Sequence, residues 1–82
     1  MAAQAYLARA LAANGAVHLS MARRASPEVR VPEYRMAADL DRQAVDEWRL
    51  YPNRMKEPYL GEISQTESEL AEAERELQKA AN

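Results

Sequence analysis

Eighty-two residues with no cysteine and a formal net charge of -2 allow one small domain and exclude disulfide staples and thiolate metal sites. Seventeen residues are Ala, whereas Leu, Val and Ile supply thirteen and Phe none, a thin stock of large apolar side chains for a self-sufficient core. No run approaches the roughly 20 apolar residues that cross a bilayer.

Charge is unevenly placed along the chain. Residues 1–35 balance at +3, residues 36–61 at -1 and residues 62–82 at -4. The first acid is Glu28, and the segment before it, residues 1–25, is rich in Ala with Arg9, Arg23 and Arg24. Basic, acid-free and Ser-containing, it has the chemistry of a mitochondrial presequence. As Met1 is retained, the expectation is an uncleaved targeting-like segment in a mitochondrial protein, with the cytoplasm as the alternative location. Leu7 and Leu11 lie four apart and predict a narrow apolar stripe on a helix. Asn14-Gly15 reads as a C-terminal cap that would break this helix in two. Arg23-Arg24-Ala25-Ser26 fits a basic-directed phosphorylation pattern at Ser26.

Ser26-Pro27 and Val31-Pro32 bracket residues 26–33. A residue before proline is pushed away from helical backbone angles, so this stretch is expected to be an extended linker. Residues 34–51 then read as an amphipathic helix, with Met36, Leu40, Ala44 and Trp48 recurring every four positions. Asp39, Asp41, Asp46 and Glu47 are assigned mostly to its other, solvated sides. Trp48 and Tyr51 offer large apolar area with polar handles, as interface anchors do. Pro52 and Pro58 predict an irregular arm over 52–62 that carries Tyr59. Its two cations, Arg54 and Lys56, fall between acidic neighbours, so nucleic acid is not an expected partner.

Ser64-Gln65-Thr66-Glu67 and Thr66-Glu67-Ser68-Glu69 each match a capping box and predict a helix over 63–81. Ile63, Thr66, Leu70, Ala73, Leu77 and Ala80 form a heptad seam. It spans under three heptads, too few for a strong free coiled coil. The seam is expected to dock on another body, or on the middle helix in an antiparallel pair.

His18 is the sole histidine and the chain has two glycines. No phosphate-cradling loop, zinc-ligand spacing or nucleophile–base constellation follows from such a set. The expectation is therefore a non-enzyme without cofactor, metal or small-molecule substrate. In fold it should be mostly α: short helices joined by proline-containing extended segments, with little independent core and ordered on a partner.

The expected function is that of a non-catalytic accessory subunit stabilising a large assembly, with a mitochondrial respiratory complex as its home. Protein subunits would be the partners, met through Leu7, Leu11, Met36, Leu40, Trp48, Tyr51, Tyr59, Ile63, Leu70 and Leu77. The alternatives are a regulatory or adaptor protein that binds through its C-terminal helix, and a small ribosome-associated protein.

Overall fold

Alanines, a glycine and one leucine recur at spacings of three and four along the start of the chain: Ala5, Ala8, Ala12, Gly15, Leu19, Ala22. A stripe this small lets a helix axis approach its neighbour closely. The computed structural model describes residues 3–81 and contains three α-helices. These are α1 (Ala3–Arg24), α2 (Pro27–Arg49) and α3 (Tyr59–Ala81), in antiparallel succession. They form a bundle of 39 × 19 × 16 Å. Helix α2 is the central element. It packs extensively on both others, whereas α1 and α3 meet only sparsely.

Two apolar clusters fill the bundle. Toward the α1–α2 connection, Leu19 and Ala22 of α1 meet Tyr34, Ala37 and Ala38 of α2 and Ala73 of α3, flanked by Leu70 and Leu77. At the other end Ala5 and Ala8 meet Trp48 and Tyr51, with Tyr59 and Ile63 packed against them. The three rings there stack at angles, Trp48 lying 5.9 Å from Tyr51 and 5.5 Å from Tyr59 between centroids.

These clusters overturn the expectation of a partner-dependent chain with little core of its own. Counting only large side chains understated the core, because small residues at helical spacing are themselves buried. Ala5, Ala8, Ala22, Ala37, Ala44 and Ala73 have no exposed surface. What alanine lacks in area it returns as close backbone approach and low side-chain entropy cost.

The extended joint expected over 26–33 is also absent. Pro27 occupies the first turn of α2, where its missing N–H costs nothing. Ser26 precedes the helix, its carbonyl accepting from the backbone N–H groups of Val29 and Arg30 at 3.0 and 2.9 Å. Pro32 lies inside the helix. The bias that proline places on Val31 is overcome from the C-terminal side, where Tyr34, Ala37 and Ala38 are buried in the core, while the turn from Pro27 to Arg30 stays exposed. Likewise α1 runs unbroken through Asn14-Gly15, and α3 begins at Tyr59, a turn before its capping-box residues. Thr66, read as a cap, instead donates from its hydroxyl to the Glu62 carbonyl within the helix at 3.1 Å.

Candidate functional site

Because α1 and α3 both lean on α2 but scarcely touch each other, a groove of about 590 Å³ lies between them. Ala12, Ala13 and Ala16 form its α1 wall, and Gln65, Thr66 and Glu69 its α3 wall. Trp48 lines it from α2. The size follows in part from the sequence, since three alanines on one wall and Gly61 and Thr66 on the other project little side chain into the gap.

An ion pair crosses the groove at one end. Arg9 grips Glu62 with two parallel hydrogen bonds, Nε to Oε1 at 2.7 Å and Nη2 to Oε2 at 2.6 Å. The same guanidinium lies 5.1 Å over the Tyr59 ring. Beyond the other end Arg23 grips Glu72 in the same bidentate manner, and that contact holds the Glu72 carboxyl below its ordinary range. Glu69 accepts a hydrogen bond from Gln65 Nε2 at 3.1 Å.

Among the described residues, two buried polar groups near this groove have no hydrogen-bond partner. One is the indole N–H of Trp48, a residue 1% exposed. The other is Asp41, which has no exposed surface and neither of whose carboxylate oxygens is paired. Leaving such a group unpaired costs on the order of 1–3 kcal/mol. Asp41 projects from α2 against Gly15 of α1, so close that a methyl group at position 15 would stand 2.0 Å from Oδ1. Burial, and secondarily the charge of Glu69, push the Asp41 carboxyl up to about 7. The acid therefore changes charge near neutrality.

The residues expected to bind partners divide into two groups. Trp48 and Tyr51 are buried in the internal clusters, and Tyr59, Ile63, Leu70 and Leu77 pack against those clusters half-buried. The C-terminal seam thus faces α2, the antiparallel pairing named as its alternative. Leu7 and Met36 remain exposed at 45% and 48%, while Leu11 and Leu40 are half-buried. Ser26 is exposed at the head of α2.

Asp41, expected on a solvated side, lies inside. The signal was present in the spacing: Ala37, Asp41, Ala44 and Trp48 follow at four, three and four, a single helical stripe on which only the aspartate is polar. His18 gains a partner that the linker reading had removed. With α2 beginning at Pro27, Glu33 is carried beside it, and Nδ1 lies 2.7 Å from Glu33 Oε2.

Among the described residues, no group of three or more His, Cys, Asp or Glu is placed to hold a metal ion. None of the described helices is long and apolar enough to cross a membrane. No family model, curated protein or solved structure matches the chain.

Proposed function

We propose that this chain is a non-catalytic accessory subunit, a rigid three-helix module that docks onto a neighbouring protein through the outer face of α1. One observation carries this reading: the exposed apolar residues of that helix. Tyr6, Leu7, Val17 and Met21 are 71%, 45%, 56% and 43% exposed. Leu7, Ala10, Asn14, Val17 and Met21 are spaced by three, four, three and four, a heptad stripe opposite the buried alanines. Such a stripe, with no acid on its helix, suits association with an apolar partner surface.

The home of that partner is a further step. The basic, acid-free composition of α1 supports a mitochondrial assembly, with a respiratory complex as its particular form. Ala5, Ala8, Leu19 and Ala22 belong to the bundle core, so any addressing role of α1 is one in which the helix is retained. A module of this kind stabilises its neighbours by presenting a preformed helix face, at little conformational cost on binding.

The test is native purification of the tagged chain beside a Leu7→Glu/Val17→Glu variant, both positions being exposed and outside the core. The native chain is expected to elute in a large complex, and the variant alone, with its helical circular dichroism and melting unchanged. Elution of the native chain by itself overturns the proposal, as does a variant that keeps its partners.

A further inference from the structure

We propose that the seam between α1 and α2, on the side of the bundle away from α3, receives a single amphipathic helix of a partner protein with a basic flank. This rests on the docking role of α1 and names the form of the partner.

Two stripes border the seam. On α1 run Leu7, Leu11, Asn14, His18 and Met21, spaced by four, three, four and three. On α2 run Val29, Glu33, Met36, Leu40, Gln43 and Glu47, spaced by four, three, four, three and four. Ion pairs to α3 fix where these stripes lie. Arg9 and Arg23 mark the side of α1 turned to α3, and Arg42 the corresponding side of α2. At about 3.6 residues per turn, Leu11 and His18 fall on the far side of α1 from those arginines, and Met36 and Leu40 on the far side of α2 from Arg42. The contact of His18 with Glu33 joins the two stripes across the seam.

This face is apolar and uncovered. Leu7, Met21, Val29 and Met36 are each between 43% and 48% exposed, and Leu11 and Leu40 are half-buried. A surface two helices wide, with heptad spacing along both borders, fits one further helix whose side chains interleave at the same intervals. Methionines at 21 and 36 adapt to the shape of a neighbour. His18 and Glu33 already hold each other, so covering that pair leaves neither group without a partner.

Charge selects the occupant. Neither stripe holds a lysine or arginine. Glu47 is half-buried, and among the described residues its side chain has no hydrogen bond or ion pair. A nucleic acid or an anionic bilayer finds no cation here. A second copy laid face to face brings only another Glu47. A different chain, with lysine or arginine beside its apolar stripe, supplies the missing charge.

The test is photo-cross-linking in the native complex of the tagged full chain. Leu7, Met36 and, as a control, the exposed Ala71 of α3 are replaced in turn by p-benzoylphenylalanine, and the joined peptides are read by mass spectrometry. The Leu7 and Met36 positions are expected to join one partner segment, with apolar residues three and four apart and more basic than acidic groups. The Ala71 position should join it only at background level. Met36→Glu is expected to lower recovery of the partner by roughly tenfold or more. Glu47→Arg should lower it by about threefold, with melting unchanged in both. Should the cross-linker at Met36 abolish the melting transition, Val29, equally exposed, takes its place. Cross-linking at Leu7 without cross-linking at the α2 position overturns the helix seat while the docking of α1 stands. So does a joined segment that is acidic or lacks the apolar spacing, or a Met36→Glu chain that keeps its partner. Recovery unchanged in Glu47→Arg overturns the basic flank. A native chain that elutes alone overturns both readings.

Discussion

A methyl group added at position 15 would meet Asp41 Oδ1 at 2.0 Å and Cγ at 2.9 Å, so two opposing effects act in Gly15→Ala. Helix propensity favours alanine by about 1 kcal/mol, while overpacking a closed interface costs about 1–3 kcal/mol. Asp41 is short and enclosed and has nowhere to swing, so the clash wins. Gly15→Ala is expected to lower the unfolding free energy by about 1–2 kcal/mol. In an Asp41→Ala background the same change should stabilise, by up to about 1 kcal/mol. A double-mutant cycle by urea denaturation checks the inversion of sign, and a destabilisation of equal size in both backgrounds would refute the contact. Titration of Asp41 gives an independent test. Its carboxyl is raised from 3.8 to about 7 in the fold. Below about pH 4 both folded and unfolded states hold the proton, and the acid costs no charge burial. Above that the unfolded chain ionises while the fold does not, so stability falls by up to about 1.4 kcal/mol per pH unit until pH 7, where the loss levels off. Its total is on the order of 2–4 kcal/mol. The charged group facing Asp41 is Glu69 of α3, which deepens the penalty; Gly15 of α1 brings no charge. Asp41→Asn, which cannot ionise, should flatten the curve between pH 4 and 7, read as urea midpoints across that range. A curve of unchanged slope in the variant would assign the pH dependence elsewhere.

At the level of the helices, periodicity made the elements legible and proline and glycine obscured their ends. The heptad of α3 is a real face packed on α2, whereas the four-residue repeat of α2 holds only in its second half: Ala44 and Trp48 are buried, but Met36 is exposed and the buried stripe runs through Ala37 and Asp41 instead. Both helices start earlier than local rules alone predict, α2 at Pro27 and α3 at Tyr59. Val31-Pro32 disfavours helix locally, yet the six residues before Glu33 are carried into α2 by Pro27 at its first turn and Tyr34 in the core. Glycine caps helices, so Gly15 predicts a stop, but here it serves close approach to Asp41, a requirement that only the facing helix defines. The groove was illegible for the same reason. It arises from α1 and α3 both choosing α2, and no single helix encodes that choice. Trp48 was visible as the most informative side chain. That its ring would be enclosed by Tyr51 and Tyr59 while its N–H stayed unpaired depends on the bend of residues 50–58, where spacing carries no signal.

Over the whole molecule, the open question is whether two apolar clusters separated by a buried acid and a groove behave as one body. Leu19 anchors one cluster and Trp48 the other, and no residue belongs to both. All three helices nevertheless contribute to each, so an end that melts must release helices that the other end still holds. Nor can a single helix of about 22 residues keep much structure alone in water once its packing is lost. Unfolding is therefore expected to be all-or-none, and Leu19→Ala offers a way to see it. Removing a fully buried leucine costs about 2–4 kcal/mol, which in a domain this small lowers the melting midpoint by roughly 10 °C or more. Trp48 fluorescence reports on the distant cluster, circular dichroism on all the helices. Coupling requires both midpoints to fall together in Leu19→Ala, and a self-contained core requires them to be independent of protein concentration from micromolar to near-millimolar. If the dichroism midpoint dropped while the Trp48 signal held its native midpoint, the bundle would be two weakly joined halves. A midpoint that climbed with concentration would mean that association, rather than the alanine-lined interior, closes the fold.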